Sequence, residues 1–469
     1  MARGILSLRS AKTDPWQSWT RLVRLAIPVG VLLSSVALAI FLPPNLIPML
    51  LILFAGIAGA LGLVKWPGVG FIVIILGGMI VPDVGPKNIN LPIVMVAVLF
   101  ILWVMEMVVR QKKVRIVASG TLLPLIVFLI VSLIAFGFGQ FSWFRFTQNA
   151  PIDAQVGGLA VFVLSILAFI LVANQIKDLR WLQTITWSFI AVGSLYVITR
   201  AVPGLLFISQ TLYQPNSIGG VFWAWFPALT FSQMLINRDL HPAWRVFLGA
   251  MVLGGLYVGI VQAYGWKSGW IPQLVGIITV VTVYSWRWGM LFGLVGTYPA
   301  WLVIAEALAS DDYSVSTRLD AWIILKEIVK VNPLLGLGFA NYYWYTPLFP
   351  IRGFAVRFNS HNNFVDIIAQ TGLIGLGCFL WFLFAVGALG MRLRDRVPQG
   401  FARAYVYGAL GGLVATAAAG MLGDWVLSFV YNIGLSGVRT GILAWIFLGG
   451  LVVLENLYRQ HETAVASAA

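Results

Sequence analysis

Long apolar runs separated by short polar segments extend along almost the whole chain, and each is close to the ~20 residues that cross a bilayer as a helix. The runs lie near residues 22–42, 46–64, 67–82, 91–109, 119–138, 156–173, 181–199, 219–236, 246–263, 269–286, 288–308, 363–390, 402–421 and 438–456. The pattern predicts an all-α polytopic membrane protein with about 12–14 transmembrane helices.

The composition agrees with a chain whose solvent is mostly lipid. Hydrophobic residues make up 60% of the 469 positions and charged residues 10%, whereas soluble domains carry about 25% charge. Such a chain has too few polar groups to cover its surface in water, so the lipid bilayer is its first expected partner. The net charge of +14 does not imply binding to nucleic acid, because basic residues in membrane proteins mainly set topology.

The positions of the basic residues predict the orientation of the chain. If the N-terminus is cytoplasmic, roughly two thirds of the 30 lysines and arginines fall in segments on the cytoplasmic side, as the positive-inside rule requires. Both termini are then cytoplasmic. Many of the remaining basic residues fall in one long external segment, 309–361.

This external loop is the only long polar stretch in the sequence, and loops beyond about 12–15 residues are usually functional or disordered. Its tryptophan and tyrosine content favours order. Thr317 is a candidate N-cap, with Asp320 three residues later in a capping-box arrangement, and Pro333 ends the helix that follows. We therefore predict one large helical periplasmic or extracellular loop.

The loop ends in Asn359-Ser360-His361-Asn362-Asn363, directly before an apolar run. His361 should therefore lie at the outer mouth of a membrane span. Because the reference pKa of histidine is about 6.5, its imidazole can act as a general base near neutral pH. The alternative is that His361 only caps the helix or hydrogen-bonds at the interface.

The sequence around His361 resembles the motif of O-antigen ligases. His361-Asn362 is followed by nine residues and then by Gly372-Leu373-Ile374-Gly375, similar to the histidine–Asn/Ser/Gln, nine-residue, Gly-x-x-Gly pattern of that family. Upstream features that resemble the family's ligase/polymerase domain are Ser316-Thr317-Arg318, Trp322, Pro333 and Gly336-Leu337-Gly338. The resemblance covers about residues 200–380.

The resemblance implies a reaction outside the membrane. Members of the family transfer a glycan from an undecaprenyl-pyrophosphate carrier to lipid A–core, as ligases, or to a growing glycan chain, as polymerases. They use no metal or other cofactor, and they lie in the cell inner (plasma) membrane as multi-pass proteins. On this basis the chain divides into an N-terminal transmembrane bundle (1–199), a ligase/polymerase-like region (200–391), and C-terminal transmembrane helices with a cytoplasmic tail (392–469).

The resemblance also assigns roles to single residues. His361 and Arg318 are the expected catalytic residues, and Arg200 and Lys267 are expected ligands of the donor phosphates. Arg357 is a further candidate for that role by its position, four residues before His361. Arginine suits that task because its guanidinium is planar, always charged and bidentate. Lys267 stands where family members commonly have arginine, and lysine keeps the charge but lacks the planar guanidinium that binds phosphate in a bidentate way. For each cation the alternative is a surface charge or an interfacial anchor.

Two further residues are expected to support the site. Asn362 would orient the imidazole or hold the acceptor, and Asp366, one turn into the helix, would pair with His361 or an arginine, because an acid inside a span is by default a functional candidate. Tyr342 to Tyr345 would stack on sugars or form an interfacial aromatic belt. Asp311-Asp312 suggest a metal site only weakly, and the single cysteine, Cys378, allows no cysteine cluster.

Two other classes of protein remain open at this point. A transporter or flippase of lipid-linked glycans would also be polytopic, but transporters tend to place charges near the midplane and to show inverted repeats, which we do not find here. A structural scaffold of the cell envelope is the third reading, and it would give no purpose to an ordered loop with a histidine at its end.

Overall fold

The computed structural model describes residues 47–309 and 313–468. Within these residues the protein is helical and contains no β-strand, which confirms the all-α prediction. The predicted run at 22–42 lies outside the described residues, as does Asp311-Asp312. From Leu63 onwards the chain forms one compact unit, to which the description of packing and of the site refers.

Most of the helices follow the predicted apolar runs, and the short helices Leu206–Leu212 and Asn341–Tyr345 correspond to none of them. They are α1 Ile47–Lys65, α2 Pro67–Ile80, α3 Leu91–Met105, α4 Leu122–Phe138, α5 Ile152–Gln175, α6 Leu179–Ala201, α7 Leu206–Leu212, α8 Gly220–Ile236, α9 Pro242–Leu256, α10 Lys267–Tyr284, α11 Trp286–Ala309, α12 Tyr313–Val329, α13 Asn341–Tyr345, α14 Asn363–Leu393, α15 Phe401–Leu422 and α16 Val438–Ala468. Short π-helical turns extend α3 to Gln111 and α9 to Gln262.

Several of these helices are suited to span a membrane. Seven of those described are long and apolar enough by length and hydropathy, or eight if the bent pair Gly56–Lys65 and Pro67–Ile80 forms one span. They are Leu91–Gln111, Ile152–Gln175, Leu179–Ala201, Pro242–Gln262, Asn363–Leu393, Phe401–Leu422 and Gly434–Arg459. The chain is therefore a multi-pass membrane protein in character.

Helices α8 and α16 form the centre of the bundle. The stretch of α8 from Val221 to Leu229 is buried on all sides, as is α16 from Ile442 to Leu454. A helix that is apolar on all sides is expected to be buried, because it has no polar face that water could solvate. On the outer helices the exposed large side chains are mostly apolar, which suits contact with lipid.

Small residues let α15 lie close against α8 and α10. A Cβ added at Gly411 would approach the carbonyl oxygen of Gly276 to 2.8 Å, and one at Gly412 would meet the ring of Trp225 at 2.6 Å. Contacts of this kind replace the hydrophobic effect as the source of helix association where lipid surrounds the bundle. Helix α15 therefore packs tightly enough to fix the position of the segment that follows it.

Contacts between chain segments define two ends of the bundle. At one end, which we call the loop end, α4 and α15 finish while α5, α14 and α16 begin. Asn341 of the long polar loop ties α4 to the start of α5 there, donating to Gly139 O at 2.8 Å and accepting from Ala150 N at 2.9 Å. Contacts such as Val117 N to Asn174 Oδ1 (2.8 Å) mark the opposite end.

The long polar segment contains the predicted helix, but its start differs from the prediction. Helix α12 already begins at Tyr313, so Thr317 lies inside it and is not its N-cap. Asp320 does not complete a capping box either; its carboxylate pairs with Arg352 at 2.8 Å. The end of the helix at Val329, before Pro333, agrees with the prediction.

The Gly-x-x-Gly segment breaks helix α14. Gly372 has φ 71° and ψ −174°, a conformation open essentially only to glycine, and a Cβ there would overlap the carbonyl of Leu334. The loop after α12 inserts at this break: Leu337 N donates to Ala369 O (2.9 Å) and Leu373 N donates to Pro333 O (2.8 Å). The two glycine-rich motifs of the sequence thus meet and fix the loop to the bundle.

Candidate active site

A cavity of about 540 Å³ opens at the loop end of the bundle. It is bounded by α12, by the loop between α13 and α14, and by the turn between α15 and α16. Its lining residues are Thr317, Arg318, Ala321, Tyr343, Ile351, Arg352, Phe354, Val356, Arg357, Phe358, Asn359, His361, Tyr431 and Asn432. Among the lining groups are one imidazole and three guanidinium groups.

His361 adopts an uncommon backbone conformation. Its φ of 49° lies in the left-handed region, which few residues other than glycine adopt without a structural reason. The residues on both sides are fixed: Ser360 O accepts from Trp322 Nε1 (2.8 Å), and Asn362 begins α14. The half-buried imidazole is therefore held at the wall of the cavity by a constrained backbone.

The surroundings of His361 favour its neutral form. Burial lowers the pKa of His361 below its usual 6.5, the positive charge of Arg318 lowers that pKa further, and the carboxylate of Asp424 opposes both effects. A neutral imidazole has a free lone pair, which a general base needs. The site thus supplies a base that is ready near neutral pH.

Asn362 caps α14 through its Oδ1 rather than bonding to the imidazole, and its alternative role of holding the acceptor stays a prediction. Its Oδ1 accepts from Phe364 N (2.9 Å) and Val365 N (3.3 Å), which satisfies two of the free N–H groups at the helix start. The next residue, Asn363, reaches across to the turn after α15, donating to Leu427 O at 2.6 Å and accepting from Val426 N at 2.9 Å.

Asp366 also differs from its prediction, because it pairs with neither His361 nor an arginine. Its Oδ1 accepts from Tyr342 Oη (2.6 Å) and from Ser360 Oγ (2.7 Å), and the residue is fully buried behind the cavity. Since Ser360 directly precedes His361, this network holds the backbone that carries the imidazole. Asp366 therefore supports the site through Ser360 rather than through charge pairing.

Arg318 lies in the second turn of α12 and faces the cavity. Its Nη1 donates to Leu422 O at 3.1 Å, which is the last carbonyl of α15. A cation at a helix C-terminus is favoured by the helix dipole, so this contact anchors α12 over the bundle. The same guanidinium borders the cavity beside His361 and lowers its pKa.

Arg357 borders the cavity as well, on a group of aromatic side chains. Its guanidinium lies 3.7 Å from the centroid of the Trp344 ring. Trp344 Nε1 donates to Tyr431 Oη at 2.8 Å, and the Tyr431 ring stacks on that of Tyr343 with centroids 4.6 Å apart. The other two tyrosines of this segment, Tyr342 and Tyr345, are fully buried and cannot stack on a sugar.

Arg200 and Lys267 are not among the residues that line the cavity. Arg200 lies in the last turn of α6, where its carbonyl accepts from Gln262 Nε2 at 3.0 Å. Lys267 begins α10, and its neighbour Trp266 packs on Trp425 with ring centroids 5.8 Å apart. Both cations lie at the loop end, but their predicted role in binding donor phosphate stays a prediction.

The turn between α15 and α16 contributes residues that the sequence analysis left out. Asn432 Nδ2 donates to Asp424 Oδ1 at 2.6 Å and lies 3.5 Å from His361 Nδ1, so it links the buried carboxylate to the imidazole. Burial raises the pKa of Asp424, while the N–H of Phe429 and the Asn432 amide stabilise its charged form. The signal in the sequence was an acid, Asp424, directly after an apolar run.

Together these residues can take up a proton and bind anions. The neutral imidazole can accept a proton, and the guanidinium groups of the cavity wall can bind oxyanions such as phosphates. Within residues 47–309 and 313–468, no group of three or more His, Cys, Asp or Glu side chains is arranged to hold a metal ion. The chain matches no protein-family model, and a search of curated proteins found no match.

Proposed function

We propose that the protein is a metal-independent membrane glycosyltransferase of the O-antigen ligase or polymerase type. It would move a glycan from undecaprenyl pyrophosphate to an acceptor hydroxyl. The observation that carries the proposal is the shared cavity in which His361 lies with Arg318 and Arg357, at the end of the bundle that holds the motif. The resemblance of this motif to that of O-antigen ligases supplies the reaction class.

In the proposed reaction His361 takes the proton of the acceptor hydroxyl. The hydroxyl oxygen forms a bond to the anomeric carbon of the donor sugar, and the bond from that carbon to the pyrophosphate oxygen breaks. The electron pair and negative charge pass to the pyrophosphate, which leaves on its lipid. Because charge grows on the leaving group, fixed cations near it lower the barrier.

The cations have different expected positions in this reaction. Arg318 is the cation whose charge acts on His361, because it lowers the pKa of the imidazole. We therefore expect it to lie nearest to the reacting groups. Arg200 and Lys267 lie at the same end of the bundle and would extend the binding of the donor phosphates towards the lipid. The acceptor would be lipid A–core for a ligase or another glycan for a polymerase.

The charge difference between the two bundle ends supports an external active site. The end opposite the loop end carries many basic residues, including Lys65, Arg115, Lys177, Arg245, Arg287 and Arg403. By the positive-inside rule that end would face the cytoplasm together with both termini, and the cavity would face outwards. The shorter apolar helices α4 and α8 would add two spans to the seven or eight that are long enough on their own.

Reconstitution of the full chain with two acceptors tests the proposal. Proteoliposomes would receive an undecaprenyl-pyrophosphate-linked glycan with either lipid A–core or a second carrier-linked glycan, and new glycosidic product would be measured. We expect product with one acceptor and its loss in His361→Ala, with the protein still inserted and folded. Arg318→Ala should lose more activity than Arg318→Lys, because lysine keeps the positive charge although it lacks the paired N–H donors of the planar guanidinium.

The matched control is His241→Asn at the opposite end of the bundle. His241 caps α9 by accepting from Ala243 N at 3.3 Å, and asparagine is an equally good cap, so both fold and transfer should be retained. Transfer at the wild-type level by His361→Ala and Arg318→Ala would refute the site. Movement of the lipid-linked glycan between leaflets, without product from either acceptor, would instead favour a flippase.

A further inference from the structure

The cavity contains a second cationic group that is built differently from the one around His361. Arg357 stacks on Trp344, which is in turn bonded to Tyr431. We call Arg357, Trp344, Tyr343 and Tyr431 the arginine–aromatic patch. Arg318, by contrast, is anchored at the carbonyl end of α15. The two guanidinium groups therefore belong to different walls of the same cavity.

Arg357 has the features of a recognition residue. Among the described residues no carboxylate lies within 4.0 Å of its guanidinium, whereas Arg352 on the same loop is paired with Asp320. Stacking on Trp344 limits the rotamers of its long side chain, so less entropy is lost when a ligand binds. The N–H donors at the edge of the guanidinium remain available for an oxyanion in the cavity.

The aromatic part of the patch suits a sugar ring. Tyr343 and Tyr431 line the cavity beside Arg357, and their stacked rings are held by the bond from Trp344 to Tyr431. Aromatic rings offer large, rigid apolar surfaces, which complement the C–H face of a pyranose, while a hydroxyl at the ring edge offers a hydrogen bond. An apolar face next to a bidentate cation is complementary to a sugar that carries a carboxylate.

We propose that the arginine–aromatic patch binds an acidic sugar of the transferred or accepting glycan, and so selects a negatively charged glycan. This inference rests on the proposed function, because it takes the cavity to hold a glycan. It gives Arg357 a partner other than the donor pyrophosphate, which the sequence analysis expected it to bind because of its position near His361. The same oxyanion chemistry could come from the carrier phosphates, and the experiment separates these sources.

Binding to the purified full-length protein in detergent tests the inference without turnover. The probes are a trisaccharide that ends in glucuronic acid, the matched trisaccharide that ends in glucose, and inorganic pyrophosphate, with Kd measured by saturation-transfer NMR. A charge-assisted hydrogen bond of about 1.5–3 kcal/mol corresponds to roughly 10–100-fold in affinity. We expect a preference of this size for the acidic trisaccharide, its loss in Arg357→Gln, and partial retention in Arg357→Lys.

Lys330→Gln is the matched control, because Lys330 is an exposed cation of the same loop that pairs with Glu327 outside the cavity. It should keep the full preference for the acidic sugar. Equal binding of the two trisaccharides, or no binding of either, would overturn the inference. So would a loss of pyrophosphate affinity in Arg357→Gln with the sugar preference intact. Failure of the proposed function would show separately, as absent transfer by the wild type.

Discussion

Replacement of Gly372 by alanine tests whether the Gly-x-x-Gly motif is a structural device. Gly372 lies in a backbone region that is essentially restricted to glycine, and an added methyl group would overlap the Leu334 carbonyl. Five positions further along α14, Gly377 is exposed, and a methyl group added there would have no neighbouring atom within 4 Å. The two glycines thus make a matched pair on one helix.

The expected difference between the two alanine variants is large. The backbone strain at Gly372 would cost about 1–3 kcal/mol, and relief of the overlap with Leu334 requires a further shift of the inserted loop. At Gly377, alanine should instead stabilise the helix by up to about 1 kcal/mol, because glycine loses more backbone entropy. The variants should therefore differ by about 2–4 kcal/mol in the free energy of unfolding.

Thermal unfolding of the purified variants in detergent, followed by tryptophan fluorescence, provides the assay. Gly372→Ala should melt several degrees below Gly377→Ala and should lose glycan transfer, since the displaced loop carries Tyr342, which bonds to Asp366. If Gly372→Ala melts at or above the temperature of Gly377→Ala, the reasoning about the break in α14 is wrong.

Three further predictions concern the surroundings of the imidazole. Because Arg318 lowers the pKa of His361, Arg318→Gln should move the acid limb of the pH–rate profile of transfer to higher pH. Because Asp424 raises that pKa, Asp424→Asn should move the limb to lower pH, and an unchanged limb in both variants would contradict the electrostatic reasoning. Tyr342→Phe removes a hydrogen bond to buried Asp366 and should destabilise the protein by about 1–3 kcal/mol in a thermal shift assay.

The helices could be predicted from the sequence because their signal is local. Most of the described helices from Ile47 onwards are apolar runs of nearly spanning length and lie where the hydropathy pattern indicated, whereas the short helices α7 and α13 carry no such signal. The start of α12 was placed wrongly at Thr317, since a threonine followed by an acid fits a capping box equally well inside a helix. The side chains of Thr317 and Asp320 alone do not show whether this segment starts a helix or lies inside one.

The site was only partly predictable, because half of its residues are joined by contacts between distant segments. His361 and Arg318 stood out through their motifs, but the partner of His361 is Asn432, 71 residues further along the chain. Asp366 was expected to pair with a charge, and it accepts instead from Tyr342 and Ser360. Neither contact follows from spacing. The first depends on the turn between α15 and α16, and the bond from Tyr342 depends on how the loop inserts at the break in α14.

The two charged neighbours of His361 have opposite effects on its pKa, and the proposed reaction needs both. A cation such as Arg318 stabilises the charge on a leaving pyrophosphate, but it also makes the imidazole a weaker base. Asp424, linked to the ring through Asn432, partly restores the basicity without entering the cavity. A site that lacked the acid would hold the donor equally well and would accept the hydroxyl proton less readily, so removal of Asp424 should lower turnover more than donor affinity.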